Sequence, residues 1–272
     1  MSRRLRVHFT GMIAQIATPF VEHSRTGESR AILRSIAVEM PVAVEFNGIG
    51  YAVMMMTPTD LEDFAYGFAR SERLIEAPEE IMSVESRLHA DGVVLSIALI
   101  PERLDRVADR VRHRVSESSC GLCGIENLEQ AVKPLTPITS ETACTEGAIF
   151  VALQQLSDHQ PLSKETGAVH GAALCGASGD IILVREDVGR HNAFDKLIGA
   201  MLRGGLDWDG GFALLTARCS YELVEKAALA NCPLLATISA PTSLAVARAQ
   251  EAGLRLVSLA RSDSLLATVS GS

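Results

Sequence analysis

No run of the chain approaches the roughly 18 apolar residues that a membrane-spanning helix needs, so insertion into a bilayer is not expected. The stretch Met1 to Ala17 carries three early arginines, but His8, Thr10, Gly11 and Gln15 break its apolar part and make it a poor secretory core. Low-complexity tracts and blocks of like charge are missing as well, which leaves no internal segment that reads as disordered. Nor is there a basic excess. The formal net charge of −8 excludes a general binder of nucleic-acid backbone and leaves room only for a local basic pocket. Six cysteines stand at 120, 123, 144, 175, 219 and 232, and without a secretory segment they read as reduced thiols of a cytoplasmic protein rather than a disulfide framework.

What is present is globular. Of the 272 residues, 47% are hydrophobic and 21% charged, enough for one large domain or two unequal ones. In the first half, Val42 to Phe46 and Ile49 to Met54 flank Asn47-Gly48, a pair suited to the positive φ angles of a tight hairpin turn. Val84 to His89 and Val93 to Leu99 flank Asp91-Gly92 in the same way. Between them, Thr59 to Leu74 predicts a helix, with a capping box from Thr59 and Glu62 and an apolar face of Leu61, Phe64, Ala65, Phe68 and Ala69.

The second half alternates short apolar strands (168–174, 181–184, 212–217, 234–238, 254–259) with helices (192–202, 220–230, 243–252), and Gly204 and Gly253 stand as helix stops. This is the pattern of an α/β sandwich, whose ligands gather where strands end and helices begin. The organisation expected is therefore a smaller N-terminal portion over 1–116, a connection over 117–139, and an α/β domain over 140–272.

That connection holds Ser118-Ser119-Cys120-Gly121-Leu122-Cys123-Gly124, two thiols three positions apart between glycines. A structural zinc site needs four ligands, and with no second C-x-x-C and no H-x-x-x-H the other two would have to be recruited from scattered positions. A redox dithiol lacks its usual βαβ setting, and inert core cysteines do not normally sit between glycines. The remaining reading is a nucleophilic or sulfur-carrying thiol, its thiolate favoured if a helix begins at Gly124.

A second constellation, Arg185-Glu186-Asp187-Val188-Gly189-Arg190-His191-Asn192, follows a strand and opens a helix. It can be read as a phosphate and guanine site or as a solvated loop with an N-cap. Ser239 to Ser243 and Arg218 to Ser220 join strands to helices with ordinary capping chemistry. His170 reads equally as a satisfied buried histidine.

Taken together, Ser119 to Gly124, Thr166 to His170, Arg185 to Lys196 and Ser239 to Val246 resemble the FdhD/NarQ family of formate dehydrogenase accessory proteins, in family order from about Val42 to Arg261. The resemblance implies a cytidine-deaminase-like three-layer α/β sandwich with a smaller antiparallel N-terminal α+β portion. It implies a sulfurtransferase that takes sulfur from a cysteine desulfurase and delivers it to the molybdenum bis(molybdopterin guanine dinucleotide) cofactor, as formate dehydrogenase requires. Cys120 would be the persulfide carrier and Cys123 a supporting thiol. Arg185, Asp187, Arg190, His191 and Asn192 would hold the dinucleotide, together with Leu259, Ala260, Arg261, Ser262, Asp263 and Ser264, and GDP would mimic its nucleotide ends. A homodimer is implied too, while zinc and deamination are not carried over, because the H-x-E element is missing. The chain departs from the family pattern at Ala217, at Ile238 and over Ser264 to Leu266. Rival readings are a cofactor or apo-enzyme chaperone that moves no sulfur, and a zinc-stabilised binding module.

Overall fold

The computed structural model describes residues 12–117 and 134–268, with side chains over 12–111 and 134–268. The chain opens with a two-stranded antiparallel ribbon, β1 (Gln15–His23) and β2 (Ser29–Ala37), in register from Gln15 opposite Ala37 to His23 opposite Ser29. Its residues lack a clean period-two alternation, and the sequence patterns do not foresee it.

The first expected hairpin forms as β3 (Met40–Phe46) and β4 (Ile49–Met56). Asn47 and Gly48 both take positive φ, 50° and 79°, as a type I′ turn demands. Met40, Val42, Val44 and Phe46 alternate into the core while their neighbours do not, so a one-residue slip would expose all four. Helix α1 (Leu61–Ser71) buries the expected apolar face, but the capping box does not form. Asp60 is the N-cap, in the left-handed region at φ 52°, and no side chain caps the helix.

The second hairpin, β5 (Ile81–His89) and β6 (Gly92–Leu99), turns through residues 90 and 91, since His89 pairs with Gly92. Gly92 is therefore a strand residue. A Cβ there would lie 2.3 Å from the Pro41 carbonyl oxygen, so close approach rather than the turn requires glycine. The two hairpins are antiparallel as expected, yet the sheet order β4-β3-β6-β5 joins them through a parallel pair, β3 with β6. Its mixed character follows from α1, which carries the chain across the sheet between the hairpins.

Helix α2 (Leu104–Glu117) follows, and the larger domain then begins with α3 (Glu146–Leu156) and α4 (Pro161–Thr166). Its sheet is built from β7 (His170–Cys175), β8 (Ile181–Asp187), β9 (Phe212–Leu215), β10 (Leu234–Thr237), β11 (Arg255–Ser258) and β12 (Leu266–Ala267), in the order β12-β11-β10-β9-β7-β8. The helices α5 (Arg190–Gly204), α6 (Tyr221–Leu229) and α7 (Ser243–Ala252) cover one face. Helix α3 covers the other, packing Ile149 and Ala152 on Phe212, Leu214 and Val257, which gives the three layers. Gly205 at φ 60°, not Gly204, is the left-handed stop of α5.

The two portions meet backbone to backbone where α1 crosses α5. A Cβ on Gly67 would lie 1.7 Å from the Asp195 carbonyl oxygen, and one on Gly199 would lie 1.7 Å from that of Asp63. Contact this close fixes the smaller portion against the start of α5, where the polar run Arg185 to Asn192 lies.

Candidate functional site

Strands β9, β10 and β11 run parallel, so the connections that leave them emerge on one edge of the sheet. Backbone bonds lace these loops together: Cys219 N–H donates to Ala240 O at 3.3 Å, Thr242 N–H to Cys219 O at 3.0 Å, Leu259 N–H to Ser239 O at 3.2 Å and Ala260 N–H to Thr237 O at 3.0 Å. Strand β7 is antiparallel to β9 and begins at the same edge, where His170 Nδ1 lies 2.9 Å from the Thr216 carbonyl oxygen. His170 is thus a half-buried, satisfied histidine.

Of the predicted stretch 259–264, Ala260 is buried in the core, and Arg261, Ser262, Asp263 and Ser264 are exposed in a turn closed by Arg261 N–H to Ser264 O at 2.9 Å. Leu259 takes φ 49°, an uncommon conformation for leucine that turns the chain at this edge. Thr242 caps α7 by accepting from Ala245 N–H at 3.2 Å, the ordinary role expected of it. Ser220 stands at the N-cap of α6 without capping it; its hydroxyl lies 3.1 Å from Glu222 Oε2 and 3.3 Å from His191 Nε2.

The run Arg185 to Asn192 divides in two. Asp187 is fully buried, paired with the equally buried Lys196 Nζ at 2.7 Å. It also accepts from Thr57 N–H at 3.1 Å, Gly189 N–H at 2.7 Å and Asn192 Nδ2 at 3.2 Å. Asn192 Nδ2 reaches the Met55 carbonyl at 3.0 Å, and Lys196 Nζ that of Thr57 at 2.9 Å. Arg185 Nε donates to Asp63 Oδ2 at 2.7 Å, and Asp63 also pairs with Arg203. Arg185, Asp187 and Asn192 are therefore committed to holding α1 and the end of β4 onto the larger domain. Asp187 and Asn192 are buried in that junction, and Arg185 is half-buried at its margin.

Arg190 and His191 are different. Arg190 Nε is buried without a hydrogen-bond partner among the described residues, an orphan donor of the kind that needs an explanation. His191 Nε2 lies 3.0 Å from Glu222 Oε2. Burial, and then the charge of Arg190, push its pKa down to about 4 against the pull of Glu222, so the ring is neutral near pH 7. It lines a cavity of about 290 Å³ with Ser71, Arg73, Arg110 and Lys226. Beneath it, buried Asp195 accepts from Lys226 Nζ at 2.7 Å and from Ser71 Oγ at 2.6 Å, while burial raises its pKa.

Cys120 and Cys123 lie outside the described residues. The other four cysteines are all buried, and burial raises every one of them: Cys219 and Cys232 to about 12, Cys144 and Cys175 upward as well. At neutral pH a thiol with a pKa of about 12, as for Cys219 and Cys232, is thiolate only on the order of one part in 10⁵, too little for nucleophilic work. Among the described residues no group of three or more His, Cys, Asp and Glu is arranged to hold a metal, and no helix is long and apolar enough to cross a membrane.

Sequence reasoning did not single out Thr57, Asp195 or Lys226. The readable signal was at Lys196 and Asp195, charges lying on the apolar stripe of α5 beside Phe194, Leu197 and Ile198, which a buried helix face tolerates only when they are paired. The partner Thr57 stands far away in the chain, and nothing local marks it.

The FdhD/NarQ family profile matches residues 37–268. A sulfur carrier protein FdhD of Variovorax paradoxus (strain S110) is 46% identical over 231 residues, 85% of this chain and 83% of the relative. One from Xanthomonas euvesicatoria pv. vesicatoria (strain 85-10) is 45% identical over 241 residues, 89% of this chain and 86% of the relative. Among solved structures, one described as a formate dehydrogenase accessory protein from Desulfotalea psychrophila superposes with a TM-score of 0.73 at 25% identity, covering 94% of this chain and 96% of that one.

Proposed function

The chain belongs to the FdhD/NarQ family, and we propose that it is a cytoplasmic sulfur carrier for formate dehydrogenase, bearing sulfur as a persulfide on Cys120. The observation that supports the reading is the burial of all four described cysteines, Cys144, Cys175, Cys219 and Cys232, which makes each of them a poor sulfur-bearing nucleophile and turns attention to the Cys120–Cys123 pair. The names of the curated relatives, at 45–46% identity over most of their length, support the same chemistry.

In the proposed step the Cys120 thiolate attacks the outer sulfur of a persulfide on a cysteine desulfurase. A new sulfur–sulfur bond forms, the donor's bond breaks, and the donor cysteine leaves as thiolate. Cys123 is the supporting thiol. The acceptor is the molybdenum bis(molybdopterin guanine dinucleotide) cofactor, written here as substrate, with its nucleotide ends at the strand-end edge of the larger sheet.

That placement rests on Arg190 with its orphan Nε at the start of α5, and on exposed Arg218 and the exposed residues Arg261, Ser262, Asp263 and Ser264 at loops laced together by backbone bonds. Backbone N–H groups at the starts of α5, α6 and α7 favour anions at this edge. Arg185, Asp187 and Asn192 support it from within. Two chains would hold the two nucleotide ends of one cofactor, and GDP would bind as their mimic.

Restoration of formate dehydrogenase activity tests the reading in cells that lack their own sulfur carrier. Wild type should restore activity and Cys120→Ala should not, although both accumulate. Activity restored by Cys120→Ala to the wild-type level would remove the carrier role and leave a chaperone.

A further inference from the structure

A second polar cavity, of about 540 Å³, lies between the end of α1, the start of α2 and residues 135–139. Its charged lining among the described residues is Arg70, Arg73, Arg106 and Glu76, three guanidiniums against one carboxylate, beside an apolar wall that includes Leu135 and Leu229. Two of the guanidiniums are braced. Arg70 Nη1 donates to the Glu76 carbonyl at 3.2 Å; Arg106 Nη1 donates to the Arg73 carbonyl at 3.4 Å and its Nη2 to Glu76 Oε1 at 2.6 Å. Held this way, each keeps further donors of its planar fork uncommitted at little remaining entropic cost.

Arg73 is the unanswered one. It is half-buried, sits at φ 61° in the left-handed region, and its side chain has no hydrogen bond or ion pair among the described residues. Burial is the largest influence on its guanidinium and lowers its pKa; Glu225 opposes this, and the charges of Arg110 and Arg248 reinforce it. Arginine keeps its proton near neutral pH, so a bound anion would add a partner to a charge that has none of its own.

We propose that this cleft, which shares Arg73 with the smaller cavity lined by His191, binds a phosphate-bearing small molecule away from the loops of Arg218 and Arg261. Three arginines and no lysine suit the bidentate geometry of phosphate. A single carboxylate would leave positive charge unanswered, whereas a phosphate monoester carries close to two negative charges and matches the excess. The volume falls within the roughly 300 to 1,000 Å³ of small-molecule sites, and the apolar wall can cover an organic body. The inference stands apart from sulfur carriage, since neither thiol enters it.

Isothermal titration of the full chain with inorganic pyrophosphate at low salt tests it, comparing wild type with Arg73→Asn and with Arg218→Gln at the strand-end edge. Asparagine accepts left-handed backbone, so Arg73→Asn should keep the thermal midpoint; if it does not, Arg106→Gln takes its place. Because the strand-end edge is itself proposed to hold diphosphate, the expected result is saturable binding by wild type from which Arg73→Asn removes one site, or weakens it at least about tenfold, while Arg218→Gln keeps that site. No binding by wild type at millimolar pyrophosphate, undiminished binding by Arg73→Asn, or loss of the same site in both variants would each overturn it.

Discussion

Replacing Lys196 with methionine should unlock the junction between the two portions of the molecule. The ammonium is fully buried 2.7 Å from the equally buried Asp187 carboxylate, and it also donates to the Thr57 carbonyl. Removing one member of such a pair leaves a buried charge without its partner, which costs about 3 to 5 kcal/mol. Asp187 keeps three donors, from Thr57, Gly189 and Asn192, so the lower end, about 3 kcal/mol, is expected here. Against a total stability of about 5 to 15 kcal/mol that is a large loss. Urea unfolding of wild type, Lys196→Met, Asp187→Asn and the double variant measures it through the midpoint at constant slope. The double variant should be more stable than the sum of the two single losses implies, because the second substitution removes the stranded charge. A loss under about 1 kcal/mol in Lys196→Met, or strict additivity, would refute the account of this pair as the clasp.

Gly67→Ala should destabilise by about 3 kcal/mol or more, because its methyl would fall 1.7 Å from the Asp195 carbonyl oxygen and force α1 off α5; a thermal midpoint equal to wild type would contradict the close crossing. A thiol reagent under native conditions should leave Cys144, Cys175, Cys219 and Cys232 unlabelled and modify all six cysteines after denaturation. Rapid native labelling of Cys219, mapped by peptide mass, would sink the argument from burial. For His191, the unfolded ring takes up its proton near pH 6.5 and the folded one only near pH 4, so stability present above pH 6.5 is lost as pH falls toward 4. The loss is at most about 3 kcal/mol and should shrink in His191→Gln, by urea unfolding at pH 7.5 and 5; an unchanged pH dependence in that variant would assign it elsewhere.

Much of the fold was legible where local chemistry and tertiary need agree. Asn47-Gly48 specified its hairpin because both residues accept positive φ, and the alternation of Met40, Val42, Val44 and Phe46 fixed which face is buried. The order of strands and helices after residue 168 was readable from short apolar runs and their stops, and with it the edge where the loops gather. Other features were not. The ribbon of β1 and β2 has no alternation to betray it, Gly92 answers to Pro41 from another strand, and α1 takes Asp60 rather than Thr59 as its N-cap. The division of Arg185 to Asn192 between groups bonded across the junction and groups at the cavity was illegible for a related reason. Asp187 turns inward to meet Thr57 and Lys196, and its spacing along the chain says nothing about Thr57, 130 residues earlier.

The central claim is that sulfur rides on Cys120, and the intact mass of the protein reads it most directly. After incubation with a cysteine desulfurase and free cysteine, wild type should gain one sulfur atom, ~32 Da, that a reductant removes. Cys120→Ala should gain none, while a variant lacking Cys144, Cys175, Cys219 and Cys232 should load like wild type. A sulfur adduct of equal yield on Cys120→Ala, or no adduct on wild type with the desulfurase shown to be active, would contradict the account.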